Sequence, residues 1–171
     1  MLQAVIFVVF PFCMVYAAVS DLMSMQIANR VSLLLIVTFA IVAPLAGMEW
    51  ATFGTHFAAA ALVLAVTFGL FSIGAMGGGD AKLMTGVAIW AGLSLPLLQF
   101  LVISAVFGGL LTALVLVYRR SPLSVYLGNI DFLFRIGDKD RGVPYAIALG
   151  AAGLMTFPAM PLAVWALTGS F

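Results

Sequence analysis

Two aspartates stand where a charge is least expected. Asp21 closes the charge-free run 1–20, and Asp80 closes the charge-free run 50–79. The second lies in Gly77-Gly78-Gly79-Asp80-Ala81-Lys82. Brought together in a poorly solvated site, two carboxylates cannot both ionise easily, so one keeps a proton while the other is anionic, and the pair titrates as a unit. That is the equipment of an aspartic protease. One carboxylate activates water; the other donates a proton to the carbonyl oxygen or the leaving nitrogen. Such chemistry needs no metal and no organic cofactor. The other acids lack this setting. Asp131, Asp138 and Asp140 lie among Arg135, Lys139 and Arg141, as in a solvated mixed-charge loop. Glu49 precedes Trp50, a pairing suited to a membrane interface.

Other chemistries find little support. Cys13 is the single cysteine, so an internal disulfide and a multi-cysteine zinc site are excluded. His56 is the single histidine and is expected to be a packed or hydrogen-bonded helix residue. There is no His-Glu-x-x-His, no Walker A and no Gly-x-Ser-x-Gly elbow. A net charge of +1 leaves no electrostatic footprint for nucleic acid.

The elements that must position these residues follow from composition. Hydrophobic residues make up 65% of the 171-residue chain and charged residues 8%, with a mean hydropathy of +1.25. A soluble domain is about 45–50% apolar and roughly 25% charged, so the chain reads as an integral membrane protein, a single domain over 1–171. A spanning helix needs about 20 apolar residues. The run 83–118 is too long for one span and turns at Gly92-Leu93-Ser94-Leu95-Pro96. The expected fold is all-α and polytopic, with about six spans near 2–20, 31–47, 52–73, 81–93, 96–118 and 143–168. Pro11, Pro158 and Pro161 should kink or loosen their spans. Arg30, Lys82, Arg119, Arg120, Arg135, Lys139 and Arg141 then share one side, which the positive-inside rule makes cytoplasmic, with both termini outside. The loop 119–141 carries Tyr126, Leu127, Ile130, Leu133 and Phe134 at helical spacing and is expected to lie on the cytoplasmic surface.

Both aspartates fall at cytoplasmic ends of spans. The span after Asp80 is short, roughly 20 Å at the standard rise, so Asp80 is expected about 10 Å below the interface. An ionisable group at that depth marks a functional site by default. Alternatively, Asp80 caps the short helix and pairs with Lys82. Glycines before the acid are expected to leave an extended peptide groove beside it, which implies a cavity or a docked partner.

At this point the residues resemble a known family. Gly77-Gly78-Gly79-Asp80 is similar to the Gly-x-Gly-Asp motif of intramembrane aspartyl proteases, and Ala81-Lys82-Leu83 continues it as in type IV prepilin peptidases. Asp21 with Ile27-x-Asn29 downstream resembles that family's first motif, with Ala28 in place of its usual proline. Val143-Pro144-Tyr145-Ala146 resembles the start of its last helix, with Ala146 where glycine is common. The compact length is similar to the type that serves Flp pili. The resemblance implies that Asp21 and Asp80 form a catalytic dyad and that Gly77, Gly78 and Gly79 shape the site. It also implies supporting or substrate-binding roles for Asn29, Lys82, Pro144 and Tyr145. Larger members carry Cys-x-x-Cys pairs and methylate the mature pilin. With Cys13 alone, neither a zinc site nor methylation is expected here.

The resemblance therefore implies an endopeptidase that removes leader peptides from type IV/Flp prepilins at the cytoplasmic face of the inner membrane. Its partners would be the prepilin, the lipid bilayer and other pilus-assembly components. Three rivals stay open. One is a related protease acting on other membrane-anchored precursors. Another is a small transporter using Asp21 and Asp80 as proton or cation sites. The third is a structural subunit of a pilus assembly platform, in which neither carboxylate is required.

Overall fold

The computed structural model describes residues 1–121, 137 and 142–171. The expected surface helix within 119–141, the three aspartates of that loop and their basic neighbours lie outside the described residues, apart from Arg119 and Arg120. Among the described residues the fold is all-helical. The helices are α1 (Leu2–Ser24), α2 (Asn29–Leu45), α3 (Trp50–Ser72), α4 (Gly78–Ala91), α5 (Leu95–Arg120), α6 (Ala146–Thr156) and α7 (Pro161–Thr168), with a 3-10 turn at Phe157–Ala159 before α7.

Three of these, α1, α3 and α5, are long and apolar enough to cross a membrane by themselves. The bent pair formed by α6, its 3-10 turn and α7, with 43° between the parts, makes a fourth candidate. Pro158 and Pro161 stand at this break, where missing amides stop the helical ladder. Pro11, by contrast, is absorbed within a continuous α1.

Backbone chemistry explains where the helices stop. Gly47 (φ 87°) and Gly74 (φ 74°) adopt the left-handed conformation that glycine enters without steric cost. After each, paired amides fold back on the last turn: Gly74 N–H to Phe71 and Ala75 N–H to Leu70 beyond α3, Gly47 N–H to Pro44 and Met48 N–H to Ala43 beyond α2. α1 ends differently. Met25 is left-handed at φ 54°, and its amide donates to the Asp21 carbonyl at 2.7 Å. The connection then folds back along α1, since the Ser20 hydroxyl donates to the Gln26 carbonyl at 2.9 Å, while that of Ser24 donates to the Ser20 carbonyl at 2.7 Å.

The short helix α4 occupies the interior. From Leu83 to Ala91 every residue is buried, and α2, α3 and α6 pack around it. A helix enclosed by protein need not match the bilayer thickness, which is why so short an element can serve here. Trp90, fully buried, anchors it. Its ring lies 5.1 Å from Phe10, and its indole N–H donates to the Leu35 carbonyl at 3.0 Å. Phe10 stacks on Phe157 at 4.8 Å, joining α1 to the last bent pair. His56 Nδ1–H donates to the Ile89 carbonyl at 2.7 Å while the ring stacks on Phe39, so the single histidine ties α3 to the end of α4.

Outward faces are apolar as well. Val8, Phe12, Val66, Phe68 and Leu110 are among the exposed residues. Helices apolar all round suit lipid, where burial brings no hydrophobic gain and packing must come from close approach. Gly150 provides it: a Cβ there would sit 2.9 Å from the Met14 carbonyl oxygen, so α6 lies directly on the α1 backbone.

Candidate active site

Asp21 sits in the last turns of α1 and is 7% exposed. Its carboxylate Oδ2 accepts the backbone N–H of Ala146 at 2.9 Å. Ala146 is the first residue of α6, whose leading amides have no carbonyl one turn back to bond. The α6 N-terminus thus receives its anionic partner from another helix, and the side chain of Asp21 is held by a group that cannot rotate away.

Asp80 lies in the first turn of α4, the third helical residue after the cap at Gly77. The Gly77 backbone amide faces its carboxylate. The third helical position is the one from which a side chain reaches back toward the cap amide. The carboxylate occupies the space a side chain at 77 would need: a Cβ on Gly77 would lie 2.8 Å from Asp80 Oδ2.

The glycine run therefore works differently from the extended groove anticipated. Only Gly77 is extended (φ −71°, ψ 140°); Gly78 and Gly79 are already helical. The helix starts early with Asp80 in its first turn, beside its leading amides. The missing side chains let α4 begin in close contact. Added Cβ atoms would meet Phe71 at 3.2 Å from Gly78 and Ile27 at 3.1 Å from Gly79. Nor does Asp80 cap the helix by pairing with Lys82. Lys82 Nζ instead donates to Asn29 Oδ1 at 2.9 Å, tying α4 to the start of α2.

The two carboxylates meet at one place. Asp21 and Asp80 both line a cavity of about 630 Å³ and an adjoining one of about 340 Å³, and they act on each other electrostatically. Gly77 borders both cavities, Gly78 and Gly79 the smaller, Tyr145 the larger. Pro144 is buried beside the start of α6, and Asn29 and Lys82 are exposed and stand off both cavities. The expected site residues thus divide into those facing the carboxylates and those bracing the helices that carry them.

Sequence reasoning passed over Thr112, which also lines the larger cavity. Its hydroxyl donates to the Gly108 carbonyl at 2.7 Å. The Tyr145 ring packs directly on Gly108, leaving no room for a Cβ. Ser104, Gly108 and Thr112 form a small-residue stripe at four-residue spacing along an otherwise apolar helix. That stripe was the available signal for where another segment docks. Met25, Met76 and Val143 complete the apolar part of the wall.

Chemically, the arrangement offers two acids on an open cavity, with Asp21 held by the Ala146 amide and one wall supplied by Gly74-Ala75-Met76 ahead of α4. No curated protein and no solved structure matches the chain. The model of the type IV leader peptidase family matches residues 8–113, a stretch that includes both aspartates and the glycine run and stops before Pro144 and Tyr145.

Proposed function

Because the chain belongs to the type IV leader peptidase family, we propose that it removes the leader from type IV/Flp prepilins, with Asp21 and Asp80 as its catalytic carboxylates. The family makes the chain a membrane peptidase. The aspartic mechanism, the substrate and the side of cleavage belong to this proposal. The observation that carries it is the shared cavity: residues separated by most of the family match line the same space.

The chemistry follows from one proton shared by two acids. The anionic aspartate takes a proton from water as the oxygen attacks the scissile carbonyl carbon. The protonated one donates to the carbonyl oxygen. Collapse of the tetrahedral intermediate breaks the C–N bond, and a proton passes to the leaving nitrogen. Gly77 leaves room for the Asp80 carboxylate, and Ala146 orients that of Asp21. Tyr145 shapes the wall of the larger cavity, and Pro144 is buried next to it at the start of α6. Asn29 and Lys82 act as positioning residues by holding α2 against α4.

In this reading the whole chain is a single peptidase domain with six spans, α6 and α7 forming the last and α4 the short fourth. Both termini face outward. Basic residues then mark the cytoplasmic side of the inner membrane, and the dyad opens there. The prepilin's apolar helix docks among the spans, its leader is released, and the mature pilin passes to the assembly components.

The test is processing of a co-expressed Flp-type prepilin in membranes, with leader removal followed on a gel. The parent should trim the leader; Asp21→Asn and Asp80→Asn, inserted to the same level, should leave it intact. Processing by either variant refutes the dyad. A parent that cuts a different membrane-anchored precursor refutes the substrate alone. A parent with no proteolysis but carboxylate-dependent ion flux refutes the peptidase reading.

A further inference from the structure

A second feature lies away from the carboxylates. Between α1 and α2 an apolar groove of about 210 Å³ opens on the outer surface of the protein. Phe12 and Tyr16 of α1, stacked at 5.9 Å, form one wall, and Val31 and Leu34 of α2 the other. Arg30 stands at the end nearest the α1–α2 connection.

Two positive features converge at that end. The Arg30 guanidinium is exposed. α2 starts at Asn29 with no side chain capping it; the Val31 N–H bonds the Ala28 carbonyl at 3.0 Å, and the two amides before it have no carbonyl one turn back, so the positive end of the dipole is open. An apolar slot ending in a cation and an uncapped helix complements an amphiphile with an apolar chain and an anionic head. At a lipid-facing surface, long basic side chains extend toward headgroups and favour anionic ones.

We propose that the α1–α2 groove binds an anionic phospholipid, one acyl chain lying between Phe12, Tyr16 and Leu34 and the phosphate meeting Arg30 and the α2 N-terminus. The lipid braces α1 against α2 on the side opposite the α6 contact, and α1 carries Asp21. The site is independent of the proteolytic reading and is tested without it.

The experiment extracts the protein from vesicles of phosphatidylcholine and phosphatidylglycerol mixed in equal parts and identifies retained lipid by native mass spectrometry. The melting temperature on re-addition of each lipid is the second readout. The parent should retain phosphatidylglycerol and be stabilised by it over phosphatidylcholine. Arg30→Gln should weaken that retention about fivefold, the worth of one cation near a headgroup. Arg30→Lys should preserve it. Leu34→Trp, which fills the groove from an exposed position, should abolish chain binding with helical content unchanged. Equal retention of both lipids, or unchanged retention in Arg30→Gln and Leu34→Trp, overturns the proposal. So does a Leu34→Trp variant that keeps its lipid but raises KM for a membrane-anchored peptide, which assigns the groove to a substrate helix.

Discussion

The carboxylate of Asp21 accepts the backbone N–H of Ala146, a residue 125 positions further along the chain, at 2.9 Å. This single bond joins the end of α1 to the start of α6 and fixes which way the first carboxylate faces. It also supplies the α6 N-terminus with an acceptor that its own cap, Tyr145, does not provide. Orientation of one acid and completion of one helix are the same interaction. Disturbing the α1–α6 contact should therefore reach the chemistry.

Gly150 tests that link. A Cβ at 150 would lie 2.9 Å from the Met14 carbonyl oxygen, a backbone atom that can yield only if a helix moves. Gly150→Ala should cost about 1–3 kcal/mol, the usual range for overpacking. It should also lower peptide cleavage, because separating α1 from α6 stretches the Asp21–Ala146 bond. Thermal melts and initial rates on one preparation measure both effects.

At Gly77 the expectation reverses, with chemistry lost and stability kept. Its φ of −71° is open to alanine, so no backbone strain arises. The new Cβ would meet Asp80 Oδ2 at 2.8 Å and push the carboxylate aside. Gly77→Ala should reduce kcat about a hundredfold, the scale of a 1 Å misplacement, with the melting point little changed. Gly78→Ala is the control. Its Cβ meets the Phe71 ring and not the acid, so cleavage should persist.

Ala28 occupies the position where the family usually has proline, and its φ is −65°, the angle a proline ring imposes. The turn therefore keeps proline's geometry without the ring. Ala28→Pro should stabilise the protein by about 0.4–1 kcal/mol by restricting the unfolded chain, with cleavage unaffected. A melting point lower than the parent's contradicts this.

Lys82 and Asn29 should behave as a brace. Their bond is exposed, and neither residue lines the cavities at the carboxylates. Lys82→Met should change stability by less than about 1 kcal/mol, as for other exposed polar pairs, and leave the pH profile of cleavage unchanged. A shifted profile would mean that the ammonium acts on the dyad directly.

Much of the helical framework was legible in the residues. The span anticipated at 52–73 is Trp50–Ser72, and the one at 96–118 is Leu95–Arg120. Apolar runs of that length leave the backbone no other way to satisfy its hydrogen bonds in lipid. The break at Pro158 and Pro161 was legible for a similarly local reason. The start of α4 was not. Consecutive glycines carry no helical preference of their own, and at Gly77–Gly79 the Asp80 carboxylate, Phe71 and Ile27 close over the bare backbone.

The candidate site divides along the same line. Asp21 and Asp80 could be selected from the sequence alone, because an acid ending a long uncharged run is conspicuous whatever surrounds it. Sequence also determined that the chain is helical and built for lipid, since composition and hydrophobic run length act locally. That the carboxylates share a cavity was decided only by packing. So were the holding of Asp21 by Ala146 and the place of Thr112 in the wall. These relationships join segments far apart in the chain, and their geometry depends on contacts such as Gly150 against Met14 and Gly108 against Tyr145. Close approach of two helices is a property of both surfaces at once, and no single stretch of sequence contains it.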